Sequence, residues 1–329
     1  SQYDITWFEE PCASRDDTRN KLVQEQSDIP ISGGESLSTR CEFSERISKR
    51  IFDIIQPDIC SVGGITEMRK VGLIAQSFGQ NKVQYRNFDW SFITSPHFDI
   101  YYYGDASDLA QYTAEKGEEA YEQISKHLRW TLRKRVPIII YHSHNDFQQT
   151  YVVLPYMREG IGGVTELFKN RVVIPFEGDY AQFRHVIHHE LVHALINDMI
   201  YGSAQNVYSG RVRLRVPLWA NEGLAEYLSM NWDTQSDMIL RDLAVHEDMP
   251  TVQQLESFLA YKGGQSVWRF ISQKYGREKI GEIFTSMKFT QNAEKGFDKA
   301  IGMDYESLTK QWHKYLKKEY WPDIDGRDE

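Results

Sequence analysis

Residues 188–193 read His-His-Glu-Leu-Val-His, and within them His189-Glu190-Leu191-Val192-His193 sets two imidazoles four positions apart with a carboxylate beside the first. Four positions is about one helical turn, so on a helix both rings leave the same face and can bind a single ion. Zinc suits such ligands. Once bound, it lowers the pKa of a water toward ~7 and polarises a carbonyl group. Glu190 stands next to a ligand without being one, so it can take a proton from that water and pass it to a leaving amine. A catalytic site needs a third protein ligand and an open position. The stretch Trp219-Ala220-Asn221-Glu222-Gly223-Leu224-Ala225-Glu226-Tyr227 offers Glu222 for the metal. Glu226, one turn on, can accept the ring N–H of a ligand histidine. His188 points off the His189/His193 face and reads as a flanking polar residue. His142 and His144, in Tyr-His-Ser-His-Asn-Asp, read as residues of a solvated loop at a strand end.

These side chains need two helices to carry them. The apolar spacing predicts one over residues 181–197 and another over 219–230. Ahead of them, Phe98–Tyr103, Val136–Tyr141 and Arg171–Pro175 read as strands, and 109–133 as a long helix. From about 238 to 320 the chain reads as helices broken at Gly263-Gly264, Tyr275-Gly276 and Gly302. A few strands followed by many helices is an α+β arrangement. The basic residues of 126–135 read as the solvated face of the long helix. Arg211-Val212-Arg213-Leu214-Arg215 alternates like an edge strand whose charges discourage pairing.

The H-E-x-x-H motif followed by a helical Asn-Glu-Gly resembles the gluzincin metallopeptidases of the peptidase MA clan. That resemblance implies a zincin-like α+β domain, mostly helical in its C-terminal half, with His189, His193 and Glu222 on Zn2+ and Glu190 as general base. It also makes Tyr261 a candidate to stabilise the tetrahedral oxyanion; a core tyrosine packing under the site is the other reading. The substrate is then a peptide or protein, expected to lie as an extended strand beside the strand that precedes the zinc helix. Asn81-Lys82-Val83-Gln84-Tyr85, Phe88-Asp89-Trp90, Ser95-Pro96-His97-Phe98 and Tyr261-Lys262-Gly263-Gly264-Gln265-Ser266 are similar to a group of bacterial proteins in which such a domain precedes a TolB-like β-propeller. An exported, periplasmic or envelope location and a propeller partner are implications of that similarity.

Residues 1–79 follow another pattern. Three short apolar runs, 5–9, 30–33 and 52–56, alternate with helical stretches as parallel βα units do. In such units side chains just past the strand ends carry function, and here these are Glu9, Glu35 and Asp58. Phe8-Glu9-Glu10-Pro11, Gly33-Gly34-Glu35, Gln56-Pro57-Asp58 and Gly63-Gly64-Ile65-Thr66 resemble the mandelate racemase branch of the enolase superfamily. The resemblance implies magnesium at Glu9 and Glu35, an Asp58 supporting a catalytic histidine, and a cytoplasmic source. The histidine is due near residue 85, where Tyr85 stands, and the catalytic lysine would lie upstream of residue 1. Carboxylates without a base cannot abstract a proton beside a carboxylate group. About half a barrel also cannot close.

The 329 residues suggest two domains, a partial barrel over 1–79 and a metallopeptidase over 80–329. Cys12, Cys41 and Cys60 precede residue 80, while all ten histidines follow it. This segregation and the missing linker point to a chimeric or mis-assembled fusion near Gly79-Gln80. A formal net charge of −9 argues against nucleic acid bound through a broad basic surface. No apolar run reaches the ~20 residues of a membrane span. The first residues have no signal-peptide pattern and no initiator Met, which fits a fragment whose leader is lost. The residues thus predict a zinc-dependent peptidase-like hydrolase. Two alternatives stand beside it: a catalytically silent, zinc-stabilised envelope or interaction module, and a magnesium-dependent sugar-acid dehydratase or racemase.

Overall fold

A computed structural model describes residues 5–78, 87–150, 152, 161–167, 169–202, 206 and 212–325. They fall into two units, the described part of the first being 5–78 and the second beginning at 87. The expected boundary at 79/80, the departure at Tyr85, and Arg211 lie outside the described residues.

In the first unit, β1 (Phe8–Glu9), β2 (Ile31–Gly33) and β3 (Ile54–Ile55) form a parallel sheet in that order. They alternate with α1 (Asp17–Gln26), α2 (Arg40–Lys49) and α3 (Ile65–Phe78), as the βα pattern predicts. Helix α2 is delimited by local chemistry. Thr39 and Glu42 form a reciprocal capping box at its start, and Arg50 turns left-handed at its end. Two small apolar clusters, around Leu37 and Phe43 and around Ile31 and Phe52, form the core of this unit.

The second unit is built on a five-stranded sheet of order β4-β5-β6-β8-β7. Its strands are β4 (Trp90–Thr94), β5 (Phe98–Tyr103), β6 (Val136–Tyr141), β7 (Val164–Glu166) and β8 (Arg171–Pro175). Strands β5, β6 and β8 run parallel, and the two outer strands are antiparallel to their neighbours. The apolar run Val-Pro-Ile-Ile-Ile-Tyr sits at the sheet centre because it is flanked on both sides. Helices α4 (Ser107–Leu128) and α6 (Tyr180–Ile200) contribute to one continuous core with this sheet. The later helices α7 (Leu218–Met230), α8 (Thr234–Val245), α9 (Ser257–Tyr275), α10 (Lys279–Thr290), α11 (Ala293–Ile301) and α12 (Tyr305–Asp325) extend that core.

Several expectations need correction. Gly263-Gly264 does not break the chain, since both lie inside α9. A Cβ on Gly264 would stand 2.2 Å from the Trp219 carbonyl oxygen, and one on Gly223 would stand 2.4 Å from Gly264 Cα. The glycines therefore let the backbones of α7 and α9 touch, and this close packing outweighs a helix penalty of about 1 kcal/mol for each glycine. Gly276 and Gly302 do end α9 and α11, with positive φ, but Gln291 adds a left-handed break after α10. The long helix stops at Leu128, so only the first of the basic residues ride on it. Residues 212–217 form no strand; buried Leu214 anchors the loop, and the backbone N–H groups of Arg213 and Leu214 donate to Gln291 Oε1. His144 opens a short helix, α5 (His144–Gln148), capped by Ser143, rather than lying in a loop.

Candidate metal centre

Helix α6 begins where Asp179 caps the N–H groups of Ala181 and Gln182 at 2.7 and 3.1 Å. From Val186 onward it is buried nearly all round, polar His189, Glu190, His193 and Asp198 included. Along one face it presents His185, His189 and His193, one turn apart. Opposite them, α7 presents Glu222 and Glu226, again one turn apart. The Gly223–Gly264 approach and a 2.9 Å hydrogen bond from Trp268 Nε1 to the Ala220 carbonyl hold α7 against α9 at this level.

The structure brings together the three residues expected to be ligands. His189 Nε2 and His193 Nε2 are 3.2 Å apart, and Glu222 Oε2 lies 3.3 and 3.2 Å from them. A tetrahedral ion bound at about 2.0–2.1 Å sets its ligand atoms roughly 3.3 Å apart, so the three atoms match one face of such a tetrahedron. Two imidazoles turned nitrogen to nitrogen beside a carboxylate are also arranged for a shared cation. Without a metal, that demand falls on a proton. Burial works against charging His189, but the hydrogen bond and charge of Glu222, the facing Glu226 carboxylate and the charge of Glu190 raise its pKa to about 10. Burial would push the carboxyl groups of Glu222 and Glu226 up, yet the facing histidines hold both far below the usual range.

A second group shares His189. His189 Nδ1 is 3.1 Å from Glu226 Oε1, an ion-pair approach lying out of line for a hydrogen bond, and His185 Nε2 is 3.6 Å from the same oxygen. Among the described residues, His189–His193–Glu222 and His185–His189–Glu226 are the His/Glu groups able to hold a metal ion.

Glu190 is buried, and its Oε2 accepts a 2.6 Å hydrogen bond from Thr165 Oγ1 on β7. Gly163, just before that strand, leaves room for it: a Cβ there would stand 3.1 Å from Glu190 Oε1. Tyr261 stacks on His189 at 6.1 Å between ring centres and lines the cavity, while its ring also packs against the core. Burial, then the charge and hydrogen bond of Glu222, push its phenol well above the ordinary value and keep the O–H in place. A cavity of about 300 Å³ opens between Gly162, Gly163, His185, His189, Glu190 and Tyr261.

The strand expected beside the substrate, β8, has β6 on one side and β7 on the other, so no peptide can add to it. Strand β7 is the outer one, and among the described residues its far edge pairs with no strand. His188 belongs to neither metal-binding group; burial first, then the charges of His185 and Arg184, depress its pKa to about 4. His142 stacks on Tyr103 and His144 Nδ1 lies 3.3 Å from Glu177, well apart in role from the His/Glu ladders. In the first unit Glu9, Glu35 and Asp58 are all exposed.

Thr165, His185 and Lys262 were missed at the sequence level. His185 was within reach, because it repeats the four-residue spacing one turn before His189. Thr165 was not, because only the sheet order brings it to Glu190.

Comparison with known proteins finds two families along the chain. Residues 1–100 match the enolase C-terminal domain-like family and are a fragment of that type. An arabinonate dehydratase of Saccharolobus solfataricus is 40% identical over 75 residues, which are 23% of this chain and 20% of that protein. A D-galactarolactone cycloisomerase of Agrobacterium fabrum is 34% identical over 77 residues, 23% of this chain and 20% of that protein. The crystal structure of a 3,6-anhydro-D-galactonate cycloisomerase from Zobellia galactanivorans shares 41% identity over 24% of this chain and 22% of that chain, with a TM-score of 0.23. The chain thus spans about a fifth of the length of these relatives. Residues 117–318, which contain both ladders, match the peptidase MA superfamily model. Through that match, covering more than half of its length, the chain belongs to the peptidase MA superfamily.

Proposed function

We propose that the second unit is a zinc-dependent peptidase in which His189, His193 and Glu222 hold the metal. The observation that carries this reading is three ligand atoms at tetrahedral-edge spacing with the Glu190 carboxylate beside them. When bound, zinc polarises a peptide carbonyl and lowers the pKa of a water toward ~7. Glu190 takes the proton of the attacking water on Oε1 and returns it to the leaving amine, while Thr165 fixes Oε2. Tyr261, kept protonated, donates its O–H to the oxygen that gains charge at the tetrahedral stage. The substrate lies extended along the outer edge of β7, the strand that carries Thr165 to Glu190.

The first unit takes no part in this reaction. By the resemblance already described, the peptidase unit works outside the cytoplasm and precedes a β-propeller. Zinc content measured together with cleavage of a broad peptide library tests the reading. Wild type should carry about one zinc and cleave, whereas Glu190→Gln should keep the zinc and lose roughly 10²–10⁴-fold in rate. Zinc bound by a wild type that cleaves no peptide would leave a silent, metal-stabilised module instead.

A further inference from the structure

Lys262 is a cation inside the core, only 7% exposed. Lysines are almost never buried so deeply unless paired. Its Nζ lies 3.1 Å from Glu226 Oε2 and 3.5 Å from Asp233 Oδ2. Asp233 is itself held in place, since its carboxylate caps α8 through Ser236 N and Ser236 Oγ at 2.9 and 2.7 Å. The lysine therefore has one acceptor fixed by a helix start and another reaching back to the metal-binding ladder.

The two oxygens of Glu226 are divided between these neighbours. Oε2 faces Lys262, and Oε1 faces His189 Nδ1 at 3.1 Å and His185 Nε2 at 3.6 Å. His189 turns its other nitrogen, Nε2, toward Glu222 and His193. A carboxylate pinned at one oxygen presents the other in a defined direction. Here that direction holds Oε1 beside the Nδ1 edge of the His189 ring. Lys262 thus places a positive charge on the Oε2 side of Glu226, opposite the oxygen that faces the histidines.

We infer that Lys262 is a positioning residue for the metal centre: it anchors and charge-compensates Glu226, which in turn orients His189. This inference rests on the assignment of His189, His193 and Glu222 as metal ligands. A buried carboxylate that loses its cation becomes an uncompensated charge and turns to another partner. That change releases Oε1 from His189. Partners of this kind typically contribute 10–100-fold to metal affinity.

The test is a competition titration of the full chain with Zn2+, paired with the visible absorption spectrum of the Co2+ form. The variants are His193→Ala, Lys262→Met, Glu226→Gln and the Lys262→Met/Glu226→Gln double variant. Wild type should bind one ion tightly and His193→Ala should not. Lys262→Met should weaken binding 10–100-fold and shift the Co2+ bands. The double variant should bind no more weakly than Glu226→Gln alone, because the lysine acts through the glutamate. Lys262→Gln, which keeps a donor but drops the charge, replaces Lys262→Met should the latter not fold, with the same loss expected. Wild-type affinity and spectrum in the lysine variants, or losses that multiply in the double variant, would overturn the inference. A wild type without tight binding, or a His193→Ala chain that retains it, would instead sink the ligand assignment and this inference with it.

Discussion

The two units treat their carboxylates in opposite ways. In the first, Glu9 at the end of β1 and Glu35 and Asp58 past β2 and β3 stand in solvent, and Trp7, Phe8, Ile54 and Ile65 are exposed as well. In the second, Glu190 and Glu226 are buried at 6% exposure, each held by a named partner. A carboxylate is taken out of water only where cations or donors replace its hydration. The second unit supplies them from histidines, a lysine and a threonine arranged by a large core. The first has, among its described residues, two small apolar clusters, and its sequence holds no histidine. Ligand-type residues become a site only when packing forces them to face one another.

The largest expected effect separates the units by chemistry. Replacing both Glu9 and Glu35 by Gln should leave peptide hydrolysis within twofold of wild type, against the loss expected for Glu190→Gln. A magnesium-dependent turnover of a sugar acid abolished by the same pair would reverse the contrast. Metal should also act on one unit alone. Zinc at about a thousand times its dissociation constant adds about 4 kcal/mol. Thermal unfolding with and without chelator should then move only the transition that includes α6 and α7; an equal shift of both transitions would break the distinction.

Glycine substitutions sharpen it further. Gly264→Ala drives a methyl into the Trp219 carbonyl and should cost about 1–3 kcal/mol by denaturant melt. Gly72→Ala, on α3 with nothing within 4 Å of the added carbon, should stabilise by about 0.4–1 kcal/mol. The smallest effect concerns Glu118. Burial raises its pKa, but hydrogen bonds from Ser95 and His97 outweigh this and hold it below 4.5. The stability it contributes is therefore present above pH 4.5 and lost as pH falls through the depressed value. Glu118→Gln should flatten that part of the acid limb, and an unchanged limb would show that the ion pair contributes nothing.

Much of this was legible in the residues. The four-residue spacings of His189–His193 and Glu222–Glu226 need only a helix to place each pair on one face, and apolar periodicity supplies the helices. Glu190 follows from the same spacing, because its neighbour on the chain is a ligand. The βα alternation of residues 1–79 and the strand–helix order of the second unit were equally local signals. The Gly263-Gly264 pair misled for a physical reason. Glycine marks a chain break and a close helix contact with the same letter, and only the partner helix distinguishes them.

Local pattern thus determined what each helix offers: ligands at one-turn spacing, a base beside them and caps at the ends. The tertiary structure decided which faces meet. The Gly223–Gly264 contact positions α7, the sheet order gives β7 rather than β8 the outer edge, and Thr165 and Lys262 reach Glu190 and Glu226 from distant positions in the chain. Periodicity along one helix carries no information about the rotation or depth of its neighbour, which are set by close packing of the whole core.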